Sequence, residues 1–99
     1  MAKSKQEIIA AVDAYMRQFQ YPNSDWYVGI AADPQERLFN GLNVDEDNGF
    51  WIYEHANSVE TAREVEQAYL VGGHDGGGGG GSTDSTYVYA YVKLQGTVR

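Results

Sequence analysis

The chain has 99 residues and no cysteine, and its 14 acidic and 7 basic residues give a formal net charge of -7 at pH 7. This length suits one domain over residues 1–99, and the lack of cysteine excludes disulfides and thiolate metal sites. Proteins that grip nucleic acid without sequence preference use many Lys and Arg side chains, so the charge argues against strong binding to a phosphate backbone. It leaves open a locally basic cleft. We find no signal peptide and no apolar run that could span a membrane, so we expect a cytoplasmic protein without a membrane partner.

The first predicted element is an amphipathic helix over residues 4–20. Ser4 and Glu7 have the spacing of a capping box, in which each side chain accepts a hydrogen bond from the other residue's backbone N–H. Apolar side chains then recur at helical spacing until Tyr21-Pro22-Asn23 interrupts the pattern. A helix of this kind packs on a sheet. The alternative, a helix that lies on a membrane or a partner, is disfavoured because the polar face is not strongly basic.

Residues 25–30 predict a strand that leads into a second helix. The segment alternates as a half-buried strand does, and Asp33 follows as a good N-cap. Pro34 takes the first helical position, where its missing N–H costs nothing. Arg37 lies on the first turns of this helix, so Tyr27 and Arg37 can be neighbours.

The remaining elements are a turn, two strands and a helix. Residues 43–49 form an acidic turn that lacks the spacing of a calcium loop, because the twelfth position from Asp45 is Ala56 instead of glutamate. A strand over 50–54 follows, and then a helix that is capped by Asn57 or Ser58.

A glycine-rich stretch and a last strand complete the chain. Residues 72–82 predict a flexible loop, since no Lys-Ser or Lys-Thr follows the glycines as a phosphate-binding Walker loop would require. The last strand spans 86–94. The element order predicts an α+β fold, with a small three-stranded, mainly antiparallel sheet flanked by helices.

Glu66 is the acidic residue of the third helix that points toward the predicted core. On a wheel of about 100° per residue it falls within the apolar arc of Val59, Ala62 and Leu70. An inward carboxylate needs a partner such as an arginine, a metal ion or several hydrogen bonds. Two interpretations stay open: a metal ligand, or a structural carboxylate paired with Arg37 or a tyrosine hydroxyl.

The last strand carries a stripe of tyrosines. Tyr87, Tyr89 and Tyr91 alternate with small apolar residues and therefore share one face of the strand. Such a stripe either packs with its hydroxyls in water or contributes phenolic groups to a site. The sequence leaves both interpretations open.

These segments together resemble the GIY-YIG nuclease superfamily, over a core that spans residues 25–94. The YIG-type motif is matched by Tyr27-Val28-Gly29, the helical arginine by Arg37 with Leu38, and the helix of the metal-binding glutamate by residues 62–66 with Leu70. The GIY-type strand is missing ahead of Tyr27. The segment 88–91, Val-Tyr-Ala-Tyr, is similar to it but lacks the glycine, which suggests a circular permutation with the first helix as an addition.

The resemblance implies an Mg²⁺-dependent phosphodiesterase that acts on DNA and uses no organic cofactor. Glu66 would hold the Mg²⁺, Arg37 would stabilise charge on the phosphate, and Tyr27 and Tyr89 would activate or position the attacking water. Four residues after the arginine, where the family often carries a histidine, this chain has Gly41.

The second hypothesis is a non-catalytic interaction protein, such as an accessory protein of a phage or mobile element. Its acidic, aromatic surface would bind a basic protein partner. The net charge of -7, the small size and the glycine at position 41 favour this alternative.

Overall fold

The computed structural model of the protein describes residues 2–76 and 84–94, and it confirms the predicted α+β fold with an antiparallel sheet of three strands. The glycine-rich loop prediction falls mostly on residues 77–83, outside the described residues. The elements in chain order are helix α1 (Lys5–Met16), strand β1 (Trp26–Ala31), a π-helix (Glu36–Gly41), strand β2 (Trp51–His55), helix α2 (Val59–Val71) and strand β3 (Tyr87–Val92).

The C-terminal strand β3 occupies the centre of the sheet. The strand order is β1-β3-β2, and both pairings are antiparallel. Tyr89 is therefore flanked by Gly29 of β1 on one side and by Tyr53 of β2 on the other. Strands that are far apart in the sequence thus place their side chains on one shared surface.

One face of the sheet packs against both α-helices. Its apolar side chains come from alternate positions of the strands, as the period of a strand requires. Ile8 and Val12 of α1 and Val65 of α2 complete this core, and each is at most 1% exposed. The strand residues of this core are Trp26, Val28, Ile30, Val88, Ala90 and Val92.

The other face carries the tyrosines and packs against the π-helix and the chain that follows it. Leu38, Leu42 and Val44 cover Tyr89 and Tyr91 there. The predicted alternation of β3 is confirmed, since its tyrosines and its small apolar residues lie in different cores. Tyr89 and Tyr91 are buried, so their rings are not simply packed with the hydroxyls in open water.

Helix α1 begins as predicted but ends earlier. The capping box is present, with Glu7 N donating to Ser4 Oγ at 3.3 Å and Ser4 N donating to Glu7 Oε1 at 2.9 Å. The helix ends at Met16 instead of residue 20. Phe19 N bonds to the carbonyl three residues earlier, which tightens the last turn. This turn brings the Phe19 ring to 4.7 Å from the ring of Phe50.

Replacing Ser4 by alanine should lower the free energy of unfolding by about 1 kcal/mol, because the cap hydrogen bond to the first turn is lost. Urea unfolding followed by circular dichroism would measure this change. Ser4→Asp is the matched control, since aspartate also caps a helix and should retain most of the stability. Equal stability of the wild type and Ser4→Ala would contradict an energetic role for the box.

The helix after Asp33 is a π-helix instead of the expected α-helix. Asp33 caps its start, where Glu36 N donates to Asp33 Oδ1 at 3.2 Å. Leu42 N then donates to the carbonyl of Arg37 at 2.8 Å, five residues back. This wider turn lets Leu38 and Leu42 both reach the tyrosine core. π-helical turns are rare and often occur at functional sites, and this one carries Arg37.

The predicted acidic turn and the start of α2 are also visible. Asp45 Oδ1 accepts hydrogen bonds from the backbone of Asp47 and Asn48, both at 3.0 Å, and these bonds organise the turn. Ser58, not Asn57, caps α2 by accepting from the backbone of Thr61 at 3.0 Å. In the part of the chain that the structure describes, no helix has the length and apolar character needed to cross a membrane.

Candidate active site

The Tyr89 side chain lies across strand β1 at Gly29. The two residues are direct partners in the antiparallel register. A Cβ atom at Gly29 would lie 2.5 Å from the Tyr89 hydroxyl oxygen and 2.6 Å from Cζ, closer than carbon atoms approach. The glycine therefore leaves the space that the Tyr89 ring fills. This contact explains physically why a glycine stands two residues after Tyr27.

Three of the predicted site residues, Tyr27, Arg37 and Glu66, act electrostatically on the fourth, Tyr89. Burial, with smaller contributions from nearby Tyr27 and Glu66, raises the pKa of Tyr89 to about 12, and Arg37 acts in the opposite direction. Electrostatic effects of this kind fall off with distance, so Tyr27, Arg37 and Glu66 all lie close enough to act on one phenol. The four residues belong to β1, the π-helix, α2 and β3.

The raised pKa of Tyr89 limits its chemistry. A phenol with a pKa of about 12 is protonated at neutral pH and donates a hydrogen bond, so it is a poor general base. The Tyr89 hydroxyl is therefore better suited to donate a hydrogen bond to a water molecule or a phosphate oxygen than to abstract a proton.

Two neighbours that were not predicted as site residues, Tyr91 and Asp75, contact the strand segment around Tyr27. Its ring packs on Tyr91 with centroids 5.4 Å apart, and Tyr91 in turn stacks with Tyr89. Val28 N donates to the Asp75 carbonyl at 2.9 Å, and Lys93 Nζ holds the Asp75 carboxylate at 2.8 Å. Alternation in β3 was the only sequence signal for Tyr91. No local signal indicated Asp75.

Glu66 points inward as the helical wheel predicted, and its side chain is only 5% exposed. No hydrogen bond or ion pair joins it to another of the described residues, so pairing with Arg37 or a tyrosine hydroxyl is not observed. Burial raises the pKa of Glu66, while the Arg63 charge acts in the opposite direction. Among the described residues, no fully buried side-chain oxygen lacks a partner. The Glu66 oxygens therefore still touch solvent.

This carboxylate fits a weak Mg²⁺ site. Within residues 2–76 and 84–94, no group of three or more His, Asp or Glu side chains is placed to hold a metal ion. Mg²⁺ is nevertheless commonly bound by one or two carboxylates, with waters and substrate phosphates completing the octahedron. Glu66 would supply one such ligand, since this residue is 5% exposed and its carboxylate points toward the interior of the fold.

Arg37 lines a cleft of about 480 Å³ at the end of β1. Asp33 and Glu36 contribute carboxylates to its wall, and Ser85, which is 2% exposed, also lines the cleft. Gly41 also lines the cleft, and a Cβ there would meet nothing closer than 3.7 Å. The sequence carried no signal for Ser85.

A second cleft, of about 320 Å³, adjoins the first. The two share Ala32 and Asp33 in their linings. Tyr53 and Tyr87 form the aromatic wall of the second cleft, and Gln35 Nε2 donates to the Tyr53 hydroxyl at 3.0 Å. Arg37 and the aromatic wall therefore line two neighbouring clefts.

No protein-family model matches the chain, and no curated protein or solved structure is significantly similar to it. The resemblance to GIY-YIG nucleases therefore depends on the sequence motifs alone.

Proposed function

We propose that the protein is a small metal-dependent phosphodiesterase of the GIY-YIG type, with DNA as substrate. The observation that carries this proposal is that the Tyr89 hydroxyl lies against Gly29, on the strand of Tyr27, within electrostatic reach of Tyr27, Arg37 and Glu66. An inward, unpaired carboxylate costs folding free energy, which a site for a cation would explain.

Each side chain has a role that fits its surroundings. Arg37 lines an open cleft, where its guanidinium can pair with a phosphate and stabilise the charge that develops during cleavage. Tyr89 donates a hydrogen bond to the attacking water or a phosphate oxygen, and Tyr27 positions the same group from β1. Glu66 would hold the Mg²⁺, which supplies Lewis-acid stabilisation of the phosphate when bound.

The strand pairing supports the proposed permutation. In this proposal β3 takes the place of the missing GIY-type strand. It pairs antiparallel with β1, and Tyr89 faces Gly29 in that pairing. A tyrosine of β3 therefore stands next to the YIG-type motif although the two are separated by most of the chain.

Cleavage of labelled single-stranded, duplex and branched DNA with Mg²⁺ or Mn²⁺ tests the proposal. We expect products from the wild type and none from Glu66→Ala, purified identically to control for contaminating nucleases. Cleavage that persists in the variant would show a contaminant or a different site. No cleavage by either protein would overturn the enzymatic proposal.

The charge supports a second candidate function, the binding of a basic protein partner. A shallow cleft of about 370 Å³ carries three carboxylates, from Asp33, Glu36 and Glu46, beside the Phe39 ring. Lysine and arginine side chains suit such a surface electrostatically. Capture of a basic protein that Glu36→Gln and Glu46→Gln together release, without any cleavage of DNA, would support this candidate over the first.

A further inference from the structure

We propose that the substrate is a single-stranded nucleic acid, and that one unpaired nucleotide lies across the two adjoining clefts. Its phosphate would contact Arg37, and its base would stack on the aromatic wall of Tyr53 and Tyr87. This inference deepens the proposed phosphodiesterase and rests on it, because it names the substrate form and shares Arg37 with the proposed site.

The charges around the clefts fit one phosphate better than a duplex. Proteins that hold duplex DNA neutralise several phosphates with Lys and Arg. Among the described residues that line the two clefts, Arg37 is the only cation, and it stands beside Asp33 and Glu36. Elsewhere in the described chain, Lys3 is paired with Glu54, and Lys93 is likewise paired with an acidic side chain. These residues therefore do not form a row of free cations that could contact both strands of a duplex.

The aromatic wall offers ring faces to a base. Tyr53 and Tyr87 are partly buried, and their rings meet edge to face, with centroids 6.0 Å apart and an angle of 73°. Trp51 stacks on Tyr53 at 5.9 Å with an angle of 11°, and His55 stacks on Tyr87 at 4.3 Å with an angle of 15°. These neighbours fix the ring planes before any ligand binds. Partly exposed aromatic rings bind bases by stacking, with little preference for sequence.

The position of this wall selects an unpaired base. The rings project from the same sheet face as Tyr89, since positions 51, 53, 55, 87 and 89 alternate in register. The two clefts have volumes of about 480 and 320 Å³, which are typical of small-ligand sites. A double helix is too large to enter either of them. Inside a duplex, each base is already stacked on both sides. A base must therefore be unpaired, or leave the duplex, to reach Tyr53 and Tyr87.

Binding of fluorescein-labelled DNA, measured by anisotropy in EDTA, tests this inference without cleavage. We expect a five-nucleotide single strand to bind more tightly than a duplex of twelve base pairs. Tyr53→Leu should weaken binding of the single strand by about tenfold, because stacking is lost. Tyr53→Phe, which keeps the ring, should bind more tightly than Tyr53→Leu. Val71→Ser, on the exposed end of α2, is the control for substitution itself.

The outcomes separate this inference from the proposed function. Equal or tighter binding of the duplex, or no effect of Tyr53→Leu, would overturn the single-strand site. Duplex cleavage that depends on Glu66 would retain the phosphodiesterase and overturn the single-strand inference. Single-strand binding that depends on Tyr53, without cleavage by the wild type in Mg²⁺, would retain the binding site and overturn the phosphodiesterase.

Discussion

Glutamine in place of Glu66 should abolish Mg²⁺-dependent cleavage, while the free energy of unfolding at pH 7 stays unchanged or rises by up to about 1 kcal/mol. The wild-type carboxylate is buried and has no partner among the described residues, so removing its charge removes an unfavourable term. Glutamine keeps the shape of the side chain. Chemical unfolding of the two proteins, alongside the cleavage assay, measures both effects.

The pH dependence of this difference has a definite sign. Burial raises the pKa of Glu66, so the folded protein binds the proton more tightly than the unfolded chain does. The wild type should therefore lose stability relative to Glu66→Gln as the pH rises from the unfolded pKa, about 4.3, to the raised folded value. Below this pH range Glu66 is protonated in both the folded and the unfolded state, so its side chain should no longer lower the free energy of unfolding.

Mg²⁺ provides the internal control for Glu66. The cation should raise the melting temperature of the wild type and leave that of Glu66→Gln unchanged, because a ligand that binds only the folded state stabilises it. Destabilisation of the variant by about 3–5 kcal/mol would instead indicate a structural ion pair whose partner is left buried and alone.

Replacing Gly29 by alanine should destabilise the protein by about 1–3 kcal/mol and strongly reduce cleavage, because the new methyl group overlaps the Tyr89 ring. The ring is 3% exposed and cannot swing freely into solvent. It must shift, and its hydroxyl then moves relative to Tyr27, Arg37 and Glu66. Unfolding curves measure the first effect, and cleavage at a temperature where the variant is folded measures the second.

Gly41→Ala is the matched control for this substitution. A Cβ at Gly41 would lie 3.7 Å from its nearest neighbour, Cδ of Arg37, which is an ordinary contact, so the change should alter stability little. Stability and cleavage of Gly29→Ala equal to those of the wild type would show that the placement of the Tyr89 ring does not matter.

Local signals in the sequence determined the elements and the direction of Glu66. The capping box at Ser4, the alternation of β3 and the wheel position of Glu66 depend on neighbours within a few residues, and the structure confirms all three. The type of the helix that carries Arg37 was predicted wrongly. Its π-helical turn lets Leu38 and Leu42 pack against the tyrosines of β3. This packing is a long-range contact, so local helix propensity does not predict it.

Only the tertiary structure decided how these parts form a site. The pairing of β1 with β3 joins Gly29 to a tyrosine far along the chain, and the central position of β3 brings Tyr53 alongside it. Pairings of this range depend on which apolar faces can be buried together, and local sequence patterns do not specify them. The same pairings created the aromatic wall beside Arg37. The sequence by itself therefore determined the candidate side chains, and long-range packing decided which of them meet.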